Sequence, residues 1–341
     1  MNQIFTGHEL EVGMLQRIRS WRDLIPGVIL LHALRVCGAP SYVALMLVTT
    51  LVASAVFTLG DVSYSLNQLV ILQLFDTPSR IANACVAWWS AFTYGSLLLP
   101  AAVVFMVATP VSMVIRAGGL YAAGREPGSM VDAYRQTIRR VPSLMAATIL
   151  PVACVTGLAV PLGLLALLDR IPSVGDYVSE SLAILVVPLL ILLGLIAAGA
   201  ATAIPLAWAA LSLEKKQDPF DALSRGYEYT YRRPVQCLVY FLLCFALSEF
   251  TSAMARTVCK VAGKISLYSY DKISSGEPLP GVIEVVLTQL PHTVWLTTFF
   301  ASLGATYLLL RKHANQQEIE DVAVSPIDNR RSELPSLNPK T

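Results

Sequence analysis

Six long apolar runs constrain this chain most, because about 20 apolar residues in a row can cross the hydrocarbon core of a bilayer as a helix. Only 14% of the 341 residues are charged, whereas a typical soluble domain has about 25%. The sequence predicts an all-α fold, a polytopic membrane helical bundle with about six transmembrane helices and short interfacial amphipathic helices. The predicted spans are 41–60, 93–115, 143–168, 182–212, 235–255 and 288–310. They form one predicted membrane domain, 1–312, followed by a polar tail, 313–341, that is predicted to be disordered and cytoplasmic.

Lysine and arginine are unequally distributed over the segments that flank these spans. Of the 25 such residues, 19 lie in the N-terminal segment, the second and fourth loops and the C-terminal segment. The positive-inside rule therefore predicts that both termini are cytoplasmic. The fifth loop is an exception, because it carries Arg256, Lys260, Lys264 and Lys272 on the opposite side. The net charge of +2 is too small to favour nucleic acid as a partner.

The segment DPFDALSRGYEYTYRRP, residues 218–234, is polar and aromatic although it lies between two apolar runs. Asp218 is a suitable N-cap and Pro219 suits the first helical position. Phe220, Leu223, Tyr227 and Tyr231 follow at helical spacing. The pattern predicts a helix in the headgroup region, with its aromatic face inward and its arginines toward phosphate.

The same plan recurs at 132–150 and 32–47, where a short segment with arginine precedes a proline and a span. One interpretation is a threefold repeat of interfacial helix, span, outer loop and span, and the other is coincidence under shared membrane constraints. The candidate residues for lipid headgroups in these segments are Arg35, Arg135, Arg139, Arg140, Arg225, Tyr227, Tyr231, Arg232 and Arg233.

Motifs for catalysis or for metal and cofactor binding were not found in the sequence. The four histidines lack metal spacing, so no metal, cofactor or enzymatic activity is predicted. Glu249 stands out as a carboxylate inside an apolar run, and Arg256 follows seven residues later on a similar helix face. This polar pair is either an interfacial ion pair or a site for a substrate or a proton.

The stretch EKKQDPFDALSRGYEYTYRRPVQCLVYFLL resembles a pattern in uncharacterised multi-pass membrane proteins of planctomycete-type bacteria. The segments WRDLIPGVILLHALRV, PVSMVIRAGGLYAAGREPGSMVDAYR and YLLLRKHANQQEIEDV are similar too, so the resemblance covers most of the chain. Gly226 stands where that family more often has serine. The resemblance implies a six-span protein of a bacterial plasma membrane and brings no activity with it.

These observations leave three functional hypotheses. The first is a non-enzymatic scaffold or regulator that binds anionic headgroups and has a cytoplasmic protein partner. The second is a transporter or channel for a weakly charged or lipid-like solute, which predicts a polar cavity between the spans. The third is an intramembrane enzyme, which predicts ionisable groups that converge at one membrane face.

Overall fold

The computed structural model describes residues 27–59, 98–168, 175–214, 218–274 and 281–315. Every regular element in these ranges is helical, as the sequence predicts. The elements in chain order are α1 (Val28–Ala33), a 3₁₀ helix (Leu34–Val36), α2 (Pro40–Leu59), α3 (Leu98–Ala122), α4 (Met130–Ile138), α5 (Val141–Leu168), α6 (Gly175–Leu213), α7 (Pro219–Arg232), α8 (Pro234–Ser274) and α9 (Gly281–Asn315).

Five of these helices are long and apolar enough to cross a membrane: α3, α5, α6, α8 and α9. A sixth candidate span is a bent pair, in which Val28–Val36 and Pro40–Ala55 meet at 74°. The described residues of each predicted span are helical, and residues 60 and 93–97 of these spans lie outside the described residues. The predicted spans 235–255 and 288–310 lie inside longer helices, because α8 continues to Ser274 and α9 begins at Gly281.

Proline lies inside several of these helices without ending them. Pro110, Pro151, Pro161, Pro188, Pro205 and Pro291 all have helical neighbours on both sides. In an apolar environment the backbone has no water to bind, so the helix persists on either side of the missing N–H. Proline is instead the first residue of α2, α7 and α8, where its missing N–H has no intrahelical partner to lose.

The chain divides into two compact units, each considered by itself. Unit 1 comprises Met1–Leu51, Val114–Ser129 and Leu238–Thr341, and unit 2 comprises Val52–Met113 and Met130–Cys237. In unit 1 the C-terminal half of α9 lies at the centre, because every residue from Ala301 to Arg311 is buried. In unit 2 the corresponding part of α6, from Leu206 to Leu213, is buried in the same way. The single membrane domain over 1–312 stays a prediction, and residues 316–341 of the predicted tail lie outside the described residues.

The described elements repeat the order short, long, long three times. The short elements are α1 with its 3₁₀ turn, α4 and α7, and each leads within a few residues into a long apolar helix. In unit 1, α1 packs on α9, and in unit 2, α7 packs on α6. The first short element differs from the interfacial helix predicted within residues 32–47. It begins at Val28 and is largely apolar, with Ile29, Leu30 and Ala33 buried, so packing on α9 determines its position.

Candidate interfacial site

The helix α7 has the ends that its sequence predicts. The Asp218 carboxylate accepts a hydrogen bond from the Phe220 backbone N–H at 3.0 Å, and Pro219 occupies the first helical position. The helix ends at Arg232, and after Arg233 the chain enters α8 at Pro234. An N-cap of this kind stabilises a helix by about 1 kcal/mol.

The face of α7 that packs on the protein differs from the predicted aromatic stripe. The buried residues are Ala222, Leu223, Gly226 and Tyr229. Of the predicted stripe only Leu223 is fully buried, and the Phe220 side chain is 65% exposed. A Cβ built at Gly226 would meet the carbonyl oxygen of Ala203 at 2.5 Å, so α7 and α6 touch through their backbones there.

Tyr227 and Tyr231 bind the backbone of α6. The Tyr227 hydroxyl donates to the carbonyl of Ile196 at 3.0 Å, and the Tyr231 hydroxyl donates to the carbonyl of Leu195. The two rings are stacked with centroids 6.1 Å apart, and they cross α6 at Gly199. A side chain at that position would collide with both rings.

The environment of Tyr227 disfavours its ionised form. Burial, with a smaller contribution from the neighbouring Tyr231, raises the pKa of Tyr227 from 10.0 to about 12. The hydroxyl therefore keeps its proton, and its hydrogen bond to the Ile196 carbonyl, at any physiological pH. Because the folded-state pKa lies above the unfolded one, this contribution to stability is complete below pH 10 and is lost as the pH rises toward 12.

Arg225 connects α7 to the end of α6 by ion pairs. Its guanidinium contacts both oxygens of Glu214 at 2.7 Å and the Asp221 carboxylate at 2.8 Å. The Arg225 and Glu214 side chains are only 25% and 15% exposed. Glu214 is the residue that follows α6. The sequence placed Arg225 among the headgroup residues, whereas the structure gives its charge two protein partners.

The remaining predicted headgroup residues divide into two groups. Arg232 pairs with Glu228 and stays 66% exposed, Arg233 donates to the Gln236 side chain, and Arg140 donates to the Leu211 carbonyl near the end of α6. Arg35, Arg135 and Arg139 are exposed, and no ion pair joins them to another residue in the described parts of the chain. These three exposed side chains are therefore candidates for headgroup binding whose charge is not paired within the described residues.

Glu249 and Arg256 are in contact on α8. Arg256 donates to the Glu249 carboxylate at 3.1 Å, and both side chains are about half exposed, at 47% and 46%. The indole N–H of Trp295 on α9 donates to the other carboxylate oxygen at 2.8 Å. Trp295 is buried and stacks on Phe299, with ring centroids 5.3 Å apart. Sequence reasoning missed Trp295, because only the packing of α9 on α8 brings it to Glu249.

Unit 1 also contains a row of buried hydroxyl and thiol contacts that the sequence did not predict. Thr50 shares a hydrogen bond with Thr293 at 3.1 Å, and Cys244 shares one with Thr306 at 3.1 Å. Thr298 contacts both Cys37 and Thr251. Most of these hydroxyls also donate to the carbonyl of the preceding helical turn, so they join helices to one another. This polar row is therefore explained as helix packing.

Within the described ranges, no group of three or more His, Cys, Asp or Glu side chains could hold a metal ion. No known protein family, curated protein or solved structure matches the chain. The resemblance to planctomycete-type membrane proteins therefore stays a prediction.

Proposed function

We propose that this chain is a non-enzymatic scaffold or regulator of a bacterial plasma membrane, whose short helices bind anionic lipid headgroups. Its described ranges contain five helices, or six with the bent pair, that are suited to crossing a membrane. The short helices α4 and α7 lie where the chain passes from one long helix to the next, and α1 precedes α2. A cytoplasmic protein partner and membership of the planctomycete-type family belong to the same proposal.

The observation that carries the proposal is the exposure of arginine on the short elements. Arg135 and Arg139 are exposed at the end of α4, immediately before α5, and Arg35 is exposed just before α2. A polybasic segment near an anionic leaflet gains about 1 kcal/mol per Lys or Arg at the surface. Arg225 does not contribute, because its charge is neutralised within the protein.

The order of the elements supports a common membrane side for the three short segments. Among the described elements, two long helices lie between each short element and the next. If each long helix crosses once, the chain returns to its starting side before the next short element begins. The excess of positive residues on that side favours the cytoplasm.

The test is a measurement of anionic lipid retained by the purified protein. The full chain is reconstituted in nanodiscs with phosphatidylglycerol and phosphatidylcholine, and the affinity for phosphatidylglycerol is compared with that of Arg135→Gln/Arg139→Gln. The loss of two charges at about 1 kcal/mol each should weaken binding about 30-fold at low salt. The charge-keeping control Arg135→Lys/Arg139→Lys should bind as the parent does. Equal affinity of the parent and the glutamine variant would contradict the proposal.

A second candidate, transport of a weakly charged or lipid-like solute, is favoured by one observation. Glu249 is a half-exposed carboxylate within a candidate span, held by Trp295 and Arg256. Ionisable groups inside spans often mark the path of an ion or substrate. Proteoliposomes that take up a panel of small polar solutes faster than empty liposomes would support transport. The rate should then fall in Glu249→Gln, which keeps the acceptor for Trp295 but removes the charge.

A further inference from the structure

The helix α8 is too long to cross a bilayer upright. It has 41 residues and so measures about 61 Å at 1.5 Å per residue, whereas the hydrocarbon core is about 30 Å thick. Of the six basic residues that the sequence assigns to the side opposite the termini, four lie on this helix beyond the first 20 residues. The second half of α8, residues 254–274, is therefore unusually basic for a membrane helix.

One face of this second half is packed against the protein. Cys259 is buried, and a Cβ built at Gly263 would meet a methyl group of Leu287 on α9 at 3.7 Å, which is ordinary contact. The outward face of α8 is therefore the face that does not pack against α9.

The outward face carries an unbroken apolar row that begins inside the membrane-spanning part. Its exposed members follow three or four residues apart: Val239, Leu243, Ala246, Phe250, Met254, Val258, Val261 and Ile265. Phe250 is 64% exposed and Ile265 is 61% exposed, so the exposure of the row stays similar toward the far end of α8. Since the whole row lies within the candidate span Pro234–Ser269, its surroundings are expected to be those of a span, which are lipid chains.

A basic row runs along the neighbouring side of the same stretch. Arg256, Lys260 and Lys264 follow at four-residue intervals, and all three are exposed. Lysine and arginine place their aliphatic stems on apolar surface while the charge reaches the phosphate level. An apolar row flanked by such side chains matches the boundary between acyl chains and anionic headgroups.

The geometry points to an anionic phospholipid site at the far end of α8, in the leaflet opposite the one that the short helices contact. Val258, Val261 and Ile265 lie against acyl chains, and Lys260 and Lys264 bind lipid phosphate. The distance along α8 from Pro234 to Ile265 is about 47 Å, and a tilt of 30–40° reduces its span to about 36–40 Å. That span fits within the about 40–45 Å of a bilayer with its headgroups.

A photocrosslinking experiment identifies the occupant of the apolar row. Benzoylphenylalanine is placed at position 265 of the full chain, and in a parallel preparation at position 250, which lies inside the span and reports acyl chains. Illumination in native membranes should yield phospholipid adducts at both positions, detected by mass spectrometry. A protein adduct at 265, to a second copy or to another chain, would overturn the proposal. So would the absence of any adduct at 265 when 250 is labelled.

A charge experiment tests the basic row separately. Lys260→Gln/Lys264→Gln should bind phosphatidylglycerol about 30-fold more weakly than the parent, and Lys260→Arg/Lys264→Arg should bind it equally well. This site is independent of the exposed arginines on α4. The loss of phosphatidylglycerol binding in the lysine variant should therefore add to the loss in Arg135→Gln/Arg139→Gln. Unchanged affinity for phosphatidylglycerol in the lysine-to-glutamine variant would refute the α8 site. It would not contradict the proposed site on the short helices.

Discussion

Glycine decides how closely α3 and α9 approach each other within unit 1. A Cβ built at Gly118 would overlap the carbonyl oxygen of Ala301, and one built at Gly304 would overlap that of Ile115. The two backbones are therefore in direct contact, which is the arrangement that small residues permit between membrane helices. Residues on either side of these glycines belong to the buried centre of the unit.

Gly304→Ala should destabilise the protein, although alanine is the better helix former. The added methyl group meets backbone that can yield only by separating the helices, and overpacking of this kind costs about 1–3 kcal/mol. We expect a lower Tm in detergent, measured by thermal size-exclusion. Gly157→Ala is the matched control, because its Cβ would have no neighbour within 4 Å. A control that loses as much stability as Gly304→Ala would contradict this explanation.

At the scale of single elements, α7 is a helix whose polar groups are satisfied by the protein. Asp218 caps it, Arg225 joins it to the end of α6, and two tyrosine hydroxyls bind α6 carbonyls. An amphipathic helix that depended on lipid alone would lack these contacts. We infer that α7 keeps its position on α6 whatever the surrounding lipid composition.

Arg225→Gln should loosen α7, because it removes the guanidinium that contacts both oxygens of the mostly buried Glu214 carboxylate. A hydrogen bond to a charged group contributes about 1.5–3 kcal/mol. Amide hydrogen exchange over 219–232 should accelerate, and Glu214→Gln/Arg225→Gln should restore much of the protection. Arg232→Gln is the control, since its exposed pair with Glu228 contributes about 0.3–0.5 kcal/mol. Similar acceleration in the two single variants would argue against the ion pair as the anchor.

At the scale of the whole molecule, the repeated order of short, long and long helices makes the topology testable. An even number of crossings places both termini on one side, and the charge distribution favours the cytoplasm. Fluorescent protein fused to either end should fluoresce, whereas alkaline phosphatase at the same positions should be inactive. A reporter inserted between α8 and α9 should show the opposite behaviour. Phosphatase activity at either terminus would refute this topology.

Much of the architecture could be predicted from local sequence alone. Apolar runs of about 20 residues indicate helices wherever they occur, because unpaired backbone groups cannot remain in lipid. Asp218 and Pro219 likewise define the start of α7 by a local hydrogen bond. The helices α8 and α9 extend beyond the predicted spans 235–255 and 288–310, because charge marks a membrane boundary and does not end a helix that a neighbour supports.

The sequence by itself determined the helices and their order, since both follow from apolar length and from capping residues close in the chain. Only the tertiary structure decided which groups meet: Tyr227 and Tyr231 with α6 carbonyls, Arg225 with Glu214, and Glu249 with Trp295. Periodicity shows which side chains share one helix face. Which neighbouring helix that face contacts depends on where small residues allow two helices to approach each other closely. Gly199, Gly226 and Gly304 set those approaches, and their effect is visible only when the neighbouring helix is in place.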